Sequence, residues 1–220
     1  MAGPARDELT LALKESGVVG IIRTERSDDL IEVARALVDG GVRFVEVTMT
    51  VPGALEIVKQ ARQELDSHGI FIGVGTVLDA ATARLAILAG ASYVISPVTN
   101  QEVIETCVRQ GVAVMPGAMT PTEILTAWEM GATVVKVFPA GVGGAGFFKD
   151  MKGPLPQIDM MPTGGVNTET AGDFIRAGAC AVGAGSSLVG PELIRSRDFA
   201  TMTANARQFV EVVQQAKQSQ

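Results

Sequence analysis

The chain has 220 residues, 47% of them apolar and 19% charged, which is enough apolar material for a sizeable core and too much for a disordered segment. Its net charge is −6 and no run of like charges interrupts the chain, which weighs against nucleic acid as a partner. No apolar stretch reaches the ~18 residues of a membrane span, and residues 1–16 mix both charges without a signal-like core, so a soluble, unexported, cytoplasmic chain with no membrane partner is expected.

A repeating unit organises the rest: a helical pattern ends at a glycine and a short β-branched run starts at once. The segment Pro4 to Ser16 reads as an extra helix across the floor of the fold. Gly17 opens VVGIIR, Ser27 and Asp28 are placed to cap a helix over Leu30, Val33, Ala34 and Leu37, and Gly41 opens VRFVEVT. Gly69 opens IFIGVGT, Asp79 can cap an alanine-rich helix to Leu88, and Gly90 opens ASYVISP. Gly111 opens VAVMPG, the run Thr120-Pro121-Thr122-Glu123 is a capping box with proline at the first helical position, and Gly131 opens ATVVKVFPA. IDMMPTGG follows a stretch rich in proline and glycine, and Gly178 opens ACAVGAGSS.

Eight strands result. Gly69, Gly90, Gly111 and Gly131 lie 20 or 21 residues apart, room for one strand, one helix and two short loops, and such parallel connections are right-handed crossovers. Eight βα units predict an α/β fold, a (β/α)8 TIM barrel with an extra N-terminal helix, in one domain over residues 1–220 because no linker divides the chain. An open doubly wound sheet is the rival, but its G-x-G-x-x-G signature is missing from the end of the first strand, which reads IIRTERS.

Two cysteines, Cys107 and Cys180, supply neither a disulfide framework nor a zinc cluster, and the single histidine, His68, precedes a turn glycine. No metal site is expected. The informative charges lie elsewhere: buried parallel strands should read as apolar runs, yet Glu46 interrupts FVEVT and Lys136 interrupts VVKVF. Each sits five residues past its opening glycine, on the second and sixth strands, so both belong in one layer of the barrel mouth. A structural ion pair is one explanation, although burying such a pair is seldom better for stability than apolar residues of like volume. The other is chemistry, since an amine ringed by valines and Phe138 loses its proton more readily and becomes a nucleophile toward carbonyls.

Glycine loops come next. PTGGVN follows strand seven and GAGSS follows strand eight, the two places where such barrels bind phosphate through backbone N–H groups. Tight turns alone would also account for the glycines. At other strand ends, Arg23 is either an anion anchor or a surface arginine, and Thr76 either a site residue or a turn cap.

In order, VEVTMTVPGA, GVGTVL, ISP, MPG, VKVFPA, PTGGV and GAGSS resemble the 2-keto-3-deoxy-6-phosphogluconate aldolase family, from Gly17 to about Val189. The resemblance implies a class I aldolase without metal or cofactor, usually a homotrimer, acting on a phosphorylated keto-deoxy sugar acid to release pyruvate. Some members also act on 4-hydroxy-2-oxoglutarate. It implies that Lys136, in K-x-F-P, is the Schiff-base lysine and Glu46, in E-[VI]-T, the general acid/base. By the same resemblance Thr76 and Pro97 line the pyruvyl pocket, Phe138 packs on the bound carbon skeleton, and Thr163, Gly164, Gly165, Gly185 and Ser186 hold the phosphate. Two positions depart from it. Many members carry an arginine carboxylate anchor where this chain has Thr50, which makes Arg23 the better candidate for an anionic group, and the residue after F-P-A is often glutamate where this chain has Gly141.

The expected reaction is cleavage of 2-keto-3-deoxy-6-phosphogluconate to pyruvate and glyceraldehyde 3-phosphate, with the galactonate-derived epimer as the alternative substrate. A sugar-phosphate isomerase or epimerase would use the same loops without an imine-forming lysine. A non-catalytic phosphate-binding module would need neither Glu46 nor Lys136 in the interior.

Overall fold

A computed structural model describes residues 6–24, 29–65 and 69–219. The expected caps Ser27 and Asp28, the start of the first helix at Pro4, and His68 lie outside them. The chain begins with α1 (Arg6–Ser16), β1 (Val18–Ile22), α2 (Leu30–Asp39), β2 (Phe44–Thr48), α3 (Ala54–Leu65), β3 (Phe71–Gly75) and α4 (Ala80–Leu88). It continues with β4 (Tyr93–Ile95), α5 (Gln101–Arg109), β5 (Ala113–Met115), β6 (Gly117–Ala118), α6 (Pro121–Glu129) and β7 (Val135–Val137). A 3-10 turn at Ala140–Val142 leads to α7 (Gly144–Lys152), β8 (Met160–Pro162), α8 (Ala171–Arg176), β9 (Val182–Ala184), α9 (Pro191–Ser196) and α10 (Phe199–Gln218). No helix among the described residues is long and apolar enough to cross a membrane.

The opening glycines work as expected. At the ends of α2, α4, α5, α6 and α8 the N–H one residue past the glycine reaches back five residues, as in Ala91 to the Ala86 carbonyl (3.1 Å) and Ala132 to Ala127 (3.1 Å). That closure needs a left-handed backbone, φ +96° at Gly90 and +101° at Gly131, which costs a residue bearing a β-carbon about 1–2 kcal/mol. Helix starts follow their caps: Asp79 accepts from the Thr82 N–H at 2.7 Å, and the Thr120–Glu123 capping box is complete.

All strands pair in parallel, but the ring is written as two sheets, β5-β4-β3-β2-β1-β9 and β6-β7-β8. The expected fifth strand breaks at Pro116, which has no N–H to give the ladder, so β5 pairs with β4 and β6 with β7. At the other seam β8 meets β9 through one bridge, Thr163 with Gly183, and the Cys180 N–H to the Met160 carbonyl at 3.0 Å. The curled sheet is thus TIM-barrel-like, with hydrogen bonding interrupted at both seams.

Two apolar clusters fill the two faces of this sheet. Val45, Val47, Val135 and Val137 pack outward against the helices, whereas Phe44, Tyr93, Ile95, Met115, Val134 and Met161 fill the interior. Leu9 and Leu13 of α1 belong to the interior cluster, so the expected floor helix plugs the end of the ring where the strands begin. Strand alternation then points Glu46, which shares a face with Phe44, and Lys136, which shares one with Val134, into the interior.

Candidate active site

Glu46 is 1% exposed and Lys136 5%, one on each sheet of the ring. They face the same interior without touching, since no contact within 4 Å joins carboxyl to amine. Burial raises the Glu46 carboxyl above its ordinary 4.5, against the opposing pull of Lys136 and then Arg23. Burial likewise drives the Lys136 ammonium below 10.5; Glu46 opposes this and Arg23 adds to it. The result is an amine with enlarged neutral fraction beside a carboxyl able to exchange protons. The Lys136 Nζ lies 5.2 Å from the centre of the Phe138 ring.

Sequence reasoning overlooked what makes room for the acid. A β-carbon at Gly75 would overlap Glu46 Oε1, so the second glycine of GVG is where the carboxyl lies. The other oxygen, Oε2, is buried without a hydrogen-bond partner.

Beside this interior opens a cavity of about 300 Å3 lined by Arg23, Phe138, Thr163, Gly164, Gly165, Gly185 and Ser186, together with Ile21, Val166, Gly183, Val189 and Pro191. The loop after Lys136 is sewn to the first glycine loop: the Ala140 N–H donates to the Thr163 carbonyl (2.8 Å) and the Gly141 N–H to that of Gly164 (2.9 Å). A β-carbon at Gly164 would come 3.2 Å from the Phe138 ring, and one at Gly165 3.0 Å from the Gly141 α-carbon. Both glycines have φ above +80°. The Ser187 hydroxyl ties the second loop to the first by donating to the Val166 carbonyl at 2.9 Å.

Arg23 lines this cavity, and the remaining candidates, Thr50, Thr76 and Pro97, stand around it rather than in it. Arg23 is exposed and reaches the Thr76 hydroxyl at 3.4 Å. Thr76 itself has φ +60°, a sparsely populated backbone for a β-branched residue and a form of strain concentrated at functional sites. Thr50 is exposed and hydrogen-bonded to the buried Thr48 hydroxyl at 2.7 Å. Pro97 is half-buried, and its carbonyl lies where a β-carbon at Gly117 would fall. Neither Thr50, Thr76 nor Pro97 lines the cavity. Among the described residues no group of three or more His, Cys, Asp and Glu side chains is placed to hold a metal ion.

Residues 9–205 match the family model for KDPG and KHG aldolase. The chain belongs to that family. It is 34% identical over 203 residues to the 2-dehydro-3-deoxy-phosphogluconate aldolase of Treponema pallidum, covering 92% of this chain and 96% of the relative. Among solved structures, it is similar to KDPG aldolase from Legionella pneumophila with pyruvate captured as a covalent carbinolamine (27% identity, TM-score 0.82, covering 90% of this chain and 96% of the other). It is equally similar to a native KDPGal structure (28% identity, TM-score 0.83, covering 91% and 96%). Membership makes the protein a carbon–carbon lyase of the aldolase type, and the TIM-barrel-like fold of its neighbours matches the curled parallel sheet.

Proposed function

We propose that the chain cleaves 2-keto-3-deoxy-6-phosphogluconate to pyruvate and glyceraldehyde 3-phosphate through an imine on Lys136. The supporting observation is the buried Lys136 amine sharing the interior with Glu46, while Phe138, two residues further on, lines the glycine-bordered cavity. The neutral amine adds to the C2 ketone, and the carbinolamine loses water to give a protonated imine. Glu46 takes the C4 hydroxyl proton as the C3–C4 bond breaks; the bond electrons move through C3 to the imine nitrogen, leaving an enamine and releasing the aldehyde. The same proton returns to C3, and water then frees pyruvate and the amine.

In this reading Gly164, Gly165, Gly185, Ser186 and Thr163 bind the phosphate, and Phe138 packs on the carbon skeleton. Thr76 and Pro97 border the pyruvyl end, Arg23 answers an anionic group, and Thr50 sits near the carboxylate. Binding the remote phosphate orients the reacting carbons, which is how binding energy reaches the bond being broken. The Legionella relative's pyruvate carbinolamine supports the covalent step. We also infer a homotrimer and activity on 4-hydroxy-2-oxoglutarate. Likeness to the KDPGal structure favours the C4 epimer as a second substrate.

Borohydride added with pyruvate is expected to leave one reduced pyruvyl group on Lys136 and none on the other five lysines. Recovery of the Lys136 peptide unmodified would overturn the imine. Pyruvate release from both C4 epimers and from 4-hydroxy-2-oxoglutarate ranks the substrates.

A further inference from the structure

The floor beneath Glu46 holds a second polar group that the imine chemistry leaves unused. Register pairs Glu46 with Gly73 across β2 and β3, and Gly73 with Tyr93 across β3 and β4. Paired residues of parallel strands point to the same side, so the three form one inward row whose middle member has no side chain. A β-carbon at Gly73 would overlap the Tyr93 ring at Cε2 and Cζ. The phenol therefore lies across β3 with its hydroxyl end directed toward β2. Its ring packs against Phe44 at 5.7 Å between centres, one layer below Glu46 on the same strand.

Tyr93 is fully buried, and its hydroxyl has no hydrogen-bond partner. The same is true of Glu46 Oε2. Two of the four such side-chain atoms among the described residues thus belong to one row of the ring, the others being on Ser16 at the floor and Thr163 at the cavity. Phenylalanine would fill the slot over Gly73 without desolvating a hydroxyl. Burial, and secondarily the Glu46 charge, hold the phenol well above its ordinary 10.0, so it stays a donor. The carboxylate it approaches only accepts.

We infer that Tyr93 is a positioning residue for Glu46: its hydroxyl donates toward the unpartnered carboxyl oxygen through one bridging water and keeps Oε1 over Gly75 facing the mouth. The inference rests on Glu46 being the acid/base of the proposed reaction. Among the described residues the other charged groups acting on the carboxyl are Lys136 from β7 and Arg23 past β1, while β3 faces the interior with Phe71, Gly73 and Gly75 and the α1 floor with Leu9 and Leu13. A hydrogen bond to the charged form lowers a carboxyl's pKa, so its loss must raise that of Glu46 and leave less base at a given pH.

Tyr93→Phe is expected to move the acid limb of kcat/KM upward by about one pH unit and to lower kcat about three- to tenfold at pH values on that limb. KM and pyruvate trapping on Lys136 should stay unchanged. Tyr93 is the sole tyrosine, so a 13C label at the tyrosine Cζ reports it alone in the unsubstituted protein. That signal should follow the carboxyl's titration in the wild type and lose the step in Glu46→Gln. Superimposable pH profiles for Tyr93→Phe and wild type, or a Cζ signal with the same pH course in wild type and Glu46→Gln, overturn the inference. Wild-type turnover by Glu46→Gln would instead remove Glu46 as the base, and with it the premise, whatever Tyr93→Phe does.

Discussion

The two sheets of the ring divide the work. The six-stranded sheet contributes the carboxyl on β2, made room for by the missing side chain at Gly75 on β3, while Gly73 makes room for the Tyr93 ring. The three-stranded sheet contributes the amine on β7, and its continuation, Phe138 to Gly141, is hydrogen-bonded to the glycine loop after β8. In the proposed reaction one half acts through buried side chains, and the other joins one such side chain to backbone that borders an open cavity. Chemistry and anchoring would then have different vulnerabilities, charge and desolvation on one side, backbone clearance on the other.

The deepest break removes both interior charges. Lys136→Met combined with Glu46→Leu should end cleavage, a loss of about 10⁴-fold or more. Thermal unfolding should show the double variant unchanged or stabilised by about 1–4 kcal/mol, because packed apolar residues escape the cost of desolvating two ionisable groups. A strongly destabilised double variant would mean the pair is kept for folding.

Removing the acid alone separates its two effects. Glu46→Gln should slow cleavage about 10²–10⁴-fold while pyruvate still adds to Lys136. Imine formation needs the neutral amine, so its rate rises through an acid limb that lies below the ordinary lysine 10.5 in the wild type. Glu46 raises the Lys136 pKa, so its loss should move that limb to still lower pH, as borohydride trapping across pH would reveal. A limb that stays where it is in the wild type would mean the two groups do not sense each other.

The anchoring half breaks differently. Gly165→Ala forces a β-carbon to 3.0 Å from Gly141 at φ +81°, so the loop must shift. KM for the phosphorylated substrate should rise about tenfold, the order of one lost hydrogen bond to a charged group. Activity on 4-hydroxy-2-oxoglutarate, which carries no phosphate, should stay near that of the wild type. Equal losses on both substrates would place Gly165 in the chemistry.

Much of this was legible because it is written in local rules. The opening glycines encode left-handed helix ends, and Glu46 and Lys136 stand out because nothing apolar about a buried parallel strand explains a charge. Other features depend on partners that residue identity does not name. Pro116 reads as the end of VAVMPG, yet whether a proline ends a strand or splits it depends on which neighbour each piece pairs with. Tyr93 reads as one more aromatic strand residue, and only the register with Gly73 lays its ring across β3 in the row of Glu46. Gly75 reads as a flexible position until the carboxyl is seen lying over it.

Thr76 gives the finest test of the division, because backbone and side chain there answer to different halves. Its hydroxyl meets Arg23, which lines the cavity, while its φ of +60° is imposed at the end of β3 beside Glu46's Gly75. Thr76→Gly relieves about 1–2 kcal/mol of left-handed strain, offset by the roughly 0.5–1 kcal/mol that glycine's freer unfolded chain takes back. Denaturant unfolding should therefore shift by no more than about 1 kcal/mol. Turnover should fall severalfold, since Arg23 loses the hydroxyl that orients it. A destabilisation beyond about 2 kcal/mol would show that threonine's contacts, and not the backbone, hold this corner, and would tie Thr76 to the packed interior rather than to the anion side.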